Sequence, residues 1–171
     1  MTVGEEFLRV SRRELAKSLG KIEAAVARLP EDALWRRAHE NENSVGNLLL
    51  HLAGNVRQWI VCGIGGAEDQ RDRDSEFAQR EAIQAAELLA RLKTTLEEAD
   101  AVLAGLSEAD LVEQRDIQGY QVTTLHAVYH VVEHFGGHTG QILWAVKNQT
   151  GEDLGFYAKL AGGGKAPGGQ P

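Results

Sequence analysis

Apolar residues recur along this chain at the spacing of helices, not strands. Phe7, Val10, Leu15, Leu19, Ile22, Val26 and Leu29 fall three to five positions apart, which predicts a helix over 6–29, stopped by Pro30. A second helix is predicted over 44–62: Ser44 supplies a hydroxyl for its first turn, and Gly63, Gly65 and Gly66 end it. Ile83, Leu88, Leu89, Leu92, Leu96, Val102 and Leu103 predict a third over 77–106. A fourth is predicted over 124–147, with Thr123 or Thr124 as its cap. Each would span about 30 to 45 Å at 1.5 Å per residue, and helices of that length pack as an all-α four-helix bundle.

The connections are long. Residues 30–43 contain Trp35 and His39 and should pack over one end of the bundle. Residues 63–76 are glycine-rich and then charged, so a mobile segment is expected. Within 107–122, Gln118-Gly119 marks the turn of a short extended hairpin. Residues 1–160 read as one domain, and 161–171, rich in Gly and Pro, as a disordered tail.

Composition narrows the function classes. The 171 residues carry a formal net charge of -7 with no basic cluster, which argues against a nucleic-acid partner. The charged run from Glu68 to Arg80 mixes both signs and reads as solvated. Cys62 is the one cysteine, so neither an internal disulfide nor a Cys-based zinc site can form. A lone thiol, no apolar membrane span and no signal-like N-terminus together lead us to expect a cytoplasmic protein.

The histidines change the picture. Of six, His51 lies on the second predicted helix, and His126, His130, His134 and His138 follow at intervals of four on the last. Imidazoles at i and i+4 stand on one helix face, where two can reach one ion at about 2.0–2.1 Å. On a helical wheel, Val128, Val132, Phe135, Ile142 and Val146 form the apolar arc. His138 and His134 border it, His130 sits farther out at the rim, and His126 is the poorest candidate. His51 lies at the margin of the stripe formed by Val45, Leu48, Leu52, Val56 and Trp59, with Asn55 one turn on. Imidazoles beside a core can also be ordinary hydrogen-bonded side chains. Trp35, Trp59 and Tyr120 are candidates for a pocket mouth or for the core.

The stretch from Val131 to Ile142, with its His134-Phe135-Gly136-Gly137-His138-Thr139-Gly140-Gln141, resembles the last-helix motif of the DinB-like (YfiT-like) metalloprotein superfamily. Ser44 to Asn55, with its single His51, is similar to that superfamily's second-helix segment. The resemblance implies an up-up-down-down bundle, a metal site of His51, His134 and His138, and one divalent transition metal: zinc, nickel, iron or manganese. It also implies a role for low-molecular-weight thiols, as in bacillithiol transferases and mycothiol-dependent maleylpyruvate isomerase, and a homodimer. Where an Arg often follows the last histidine in that superfamily, this chain has Thr139.

Three neutral imidazoles would leave a divalent ion its full charge, enough to turn a bound thiol into a thiolate or a bound water into hydroxide. The expected function is therefore a metal-dependent enzyme on a small molecule, a thiol transferase first. Hydrolysis at the same site, or a bundle that binds metal without catalysis, are the alternatives. Asn55, His130 and Gln141 are candidates to orient ligands or substrate.

Overall fold

The computed structural model describes residues 1–156 and 158; the tail expected at 161–171 lies outside them. Five α-helices and one hairpin follow in order: α1 (Val3–Val26), α2 (Val45–Val56), α3 (Arg73–Ala78), α4 (Ala85–Ala104), β1 (Gln114–Ile117), β2 (Tyr120–Thr123) and α5 (Thr124–Thr150). The long helices form an all-α bundle in which α1 packs on α4 and α5, and α2 packs on the same two, so α1 and α2 occupy opposite corners. Ile22, Leu49, Leu52, Leu92, Leu103, Phe135 and Ile142 are fully buried between them. No described helix is long and apolar enough to cross a membrane.

Local hydrogen bonds set the starts of three helices. Thr2 and Glu5 form a reciprocal capping box, which begins α1 at Val3, ahead of the apolar pattern. Ser44 accepts from the Asn47 amide at 3.2 Å, while Asn47 Oδ1 accepts from the Ser44 amide at 3.2 Å. Thr123 caps α5 by accepting from the His126 amide. The second predicted helix does reach Cys62, but its last stretch, Arg57–Cys62, is π-helical. The wider turn re-aims the side chains that follow α2. The hairpin turns at Gln118 (φ 57°) and Gly119 (φ 79°), with Ile117 paired to Tyr120. Two positive φ values match the right-handed strand twist of a two-residue hairpin. The hairpin rests on Gly63, where a Cβ would come within 2.6 Å of Ile117.

Two sequence expectations need correction. The third long helix starts at Ala85, not near Phe77. Side chains from the preceding loop and α2 capture the carbonyls that a continuous helix would use. Asn47 Nδ2 donates to Glu76 O at 2.8 Å, Arg37 Nη2 to Gln79 O at 3.0 Å and Trp35 Nε1 to Ile83 O at 2.9 Å. Trp35 therefore serves the fold and does not line the cleft beside the histidines; its ring lies against Gly46. Nor is the charged segment after Gly63 simply a solvated loop. It folds back as α3 onto α2 and buries Arg71 and Glu76, whose side chains are 5% and 7% exposed.

Leu92, fully buried on α4 and remote from the histidines, tests the packing. Leu92→Ala should destabilise the protein by about 2–5 kcal/mol in urea unfolding. A loss below about 1 kcal/mol would place α4 outside the core.

Candidate metal centre

α2 and α5 pack side by side and bring His51 to face His134 and His138. The three offer one ligand nitrogen each, and these atoms all lie within 4.8 Å of one another. His51 is buried, and His134 and His138 are half-buried. Their rings stand edge to face, with centroids 4.4 to 5.0 Å apart. On α5 the buried arc includes Ala127 and Val131, while Val132 is half-buried. The arc is thus turned toward the histidine side relative to the sequence expectation, which draws His134 inward.

The outer nitrogens have partners. His51 Nδ1 lies 3.0 Å from Glu76 Oε2, and His138 Nδ1 lies 2.7 Å from Gln141 Oε1. Arg71 Nη2 also lies 3.2 Å from His51 Nδ1 but is directed at Glu76 Oε2 at 2.8 Å. With Glu76 Oε2 and Gln141 Oε1 accepting, each Nδ1 carries the proton and each Nε2 keeps its lone pair. His51 Nε2 and His134 Nε2 are 2.9 Å apart. With His51 accepting there, the shared proton belongs to His134. A tetrahedral ion with nitrogen ligands at about 2.0–2.1 Å would hold those atoms about 3.3 Å apart. The donor set and its spacing thus fit one first-row divalent ion after small side-chain shifts.

Glu76 is the residue that sequence reasoning missed. Arg71 grips its carboxylate twice, from Nε to Oε1 at 2.7 Å and from Nη2 to Oε2 at 2.8 Å. Burial alone would push the Glu76 carboxyl up, but hydrogen bonds from Arg71 and His51 outweigh it and hold it below the ordinary carboxylate value. Gly54 makes the room: a Cβ there would collide with the Glu76 carboxylate. Gly54 lies one turn beyond His51 on α2, and a glycine inside a predicted helix was the signal available in the sequence. Arg71 Nη1 also donates to Gln58 Oε1 at 2.8 Å, and Gln118 of the hairpin tip donates to the same oxygen. Hairpin, π-helical turn and α3 are thereby tied to one metal-facing histidine.

The remaining candidates fall into place around a cleft of about 460 Å³ beside the cluster. Asn55, Trp59, Tyr120 and His130 line it with His51 and His134. His130 packs at a tilt against Trp59 at 4.2 Å and stacks on His134 at 5.4 Å. Asn55 Oδ1 and Trp59 Nε1 are buried without partners among the described residues. His126 is exposed at the cleft's rim. Thr139 turns into the bundle and donates to Phe135 O at 2.7 Å. Cys62 is buried, its thiol donates to Glu68 O at 3.3 Å, and burial pushes its pKa up, so it is a structural residue.

Burial also favours the neutral imidazole on α5. It pulls His134 down to about 3, helped by the neighbouring His138 and His51, and it lowers His138 and His130. Neutral imidazole is the form that binds metal, so His134 and His138 are suited to an ion across the neutral range.

Two predictions follow from this geometry. Glu76→Gln keeps the shape but removes the charge that orients His51, and should weaken zinc binding about 10- to 100-fold in a chelator competition; unchanged affinity would mean His51 needs no such support. In chelator, folding stability should fall as the pH drops from about 6.5 toward about 3. Through that window the unfolded chain holds the His134 proton and the folded chain does not, so protons favour unfolding. Glu76 adds to the loss at the acid end, because its folded pKa is also depressed. Urea unfolding of His134→Gln against pH should show a flatter profile above about pH 4.5; an identical profile would refute the assignment.

Comparison with known proteins agrees with this architecture. Residues 2–158 match the model of a family described as "Protein of unknown function (DUF1572)". No curated protein is significantly similar in sequence. Among solved structures, a conserved protein from Enterococcus faecalis shares the fold with a TM-score of 0.71 at 16% identity, covering 89% of this chain and 99% of that one. A DinB-like protein from Bacillus subtilis, YjoA, does so with a TM-score of 0.64 at 20% identity, covering 86% and 96%. The chain belongs to the DUF1572 family, and its bundle is the fold of the DinB-like proteins.

Proposed function

We propose that this protein is a divalent-metal-dependent enzyme that transfers a low-molecular-weight thiol to a small electrophile, with His51, His134 and His138 as the metal ligands. The observation that carries this reading is the convergence of three imidazoles at the edge of a cleft large enough for a small molecule. A site closed by four protein ligands would suit a structural ion; three ligands with an adjacent cleft suit one that takes an exogenous group. When bound there, a divalent ion supplies Lewis acidity that lowers the pKa of a thiol to which it is exposed.

The chain's own residues have definable parts. Glu76 and Gln141 hold the rings of His51 and His138 in the tautomer that presents Nε2. Trp59 and His130, packed at a tilt, form an aromatic wall of the cleft, and Asn55 lines it beside them. The apolar layer behind the rings, including Phe135 and Leu52, excludes water from the rear of the site.

Metal content of untagged protein should be about one divalent ion per chain, lost in His51→Ala and His138→Ala. The cobalt-loaded protein should develop sulfur-to-cobalt charge-transfer absorption with a cellular thiol, and should accelerate thiol addition to an electrophile such as monobromobimane. No spectral change and no turnover with any thiol would end the thiol-transfer reading. Turnover of esters or amides in the same preparations would replace it with hydrolysis.

A further inference from the structure

The charge of the cleft is opposite to that of the protein. The chain carries -7 overall, yet none of the described residues lining the cleft is acidic. Its lining includes Arg71, Arg73, His126 and His130 in addition to two of the candidate metal ligands. Arg71 has its charge matched by Glu76. Arg73 has no such match: among the described residues it makes no ion pair and no side-chain hydrogen bond. Its guanidinium lies 5.0 Å over the ring of Phe77, and that ring packs 4.7 Å from the ring of His51. The contact with the face of Phe77 tethers the guanidinium and leaves its N–H groups without protein acceptors, the groups that meet a carboxylate in a two-pronged pair. Low-dielectric walls and an acidic exterior focus the field of such a cation into the cleft.

The floor is polar as well. Asn55 Oδ1 and Trp59 Nε1 belong to buried side chains and have no partners among the described residues. Unused hydrogen-bonding groups at the base of a cleft are costly unless something polar comes to the cleft. An exposed arginine without a protein partner, beside a cleft with no acidic lining, points to one kind of occupant.

We propose that the cleft takes a small molecule bearing a carboxylate, and that Arg73 is the residue that holds that carboxylate. The inference rests on the proposed metal-enzyme reading only for what the other end of the molecule does. Arg73 is a specificity determinant: it is exposed, lies outside the three-histidine cluster, and its replacement leaves the core untouched.

The test compares 3-mercaptopropionate with 3-mercapto-1-propanol on the full chain loaded with cobalt, read by charge-transfer absorption. The carboxylate should give about tenfold tighter binding in the natural protein. Arg73→Gln should bring the two thiols within about twofold of each other by weakening only the carboxylate, and Arg73→Lys should keep part of the preference because it retains charge without the planar fork. Equal binding in the natural protein, or a preference that survives Arg73→Gln, overturns the assignment. If neither thiol perturbs the cobalt, the thiol-transfer reading fails by itself. Arg73 is then judged by calorimetry with 3-phenylpropionate against 3-phenylpropanamide on the same protein. A preference for the carboxylate that Arg73→Gln abolishes supports it, and equal or absent binding overturns it.

Discussion

An ionised carboxylate taken out of water must be neutralised nearby, and Glu76 meets that demand with Arg71 on one side and His51 on the other. The three groups form a single buried unit. Arg71 makes it possible for Glu76 to stay charged, and the charge on Glu76 decides which nitrogen of His51 carries the proton. That tautomer turns the other nitrogen toward His134 and His138. The way α2 presents His51 to the cluster therefore depends on a segment that is not part of the bundle at all.

The architecture around that unit serves to deliver it. Asn47 caps α2 with one end of its amide and captures the carbonyl of Glu76 with the other. The same residue thus sets where α2 begins and where α3 is held. Gly54 leaves the space the carboxylate occupies, and Gly63 lets the hairpin sit against the end of the π-helical turn. Gln58, carried on that turn, joins Arg71 to the hairpin tip through Gln118. Features that look separate in the chain, such as a glycine in a helix, a π-helical turn and a two-residue hairpin, are parts of one packing solution.

The placement of charge supports a division of labour in the site. The paired arginine is structural, since its valence is spent on Glu76. The unpaired one lies on an aromatic ring at the mouth, where a ligand's charge can find it. Burial holds His134 and His138 neutral, so they contribute donor atoms and not positive charge.

Periodicity determined the bundle, because apolar residues at helical spacing have to be buried on one face, and that requirement is written locally in residues such as Leu52 and Phe135. The same logic placed His51, His134 and His138 on facing edges, since i and i+4 positions share a face whatever the helix packs against. The two-residue turn at Gln118-Gly119 was legible for a similar reason: its backbone angles depend on the turn residues themselves. Arg71, Glu76 and the start of α4 were not legible. A run of alternating charges looks solvated until another element closes over it. Whether the helix continues through Gln79 depends on Asn47, Arg37 and Trp35 arriving to take its carbonyls. Those partners lie 29, 42 and 48 positions away in the chain, separations that loop closure must bridge, and only the folded bundle brings them into reach.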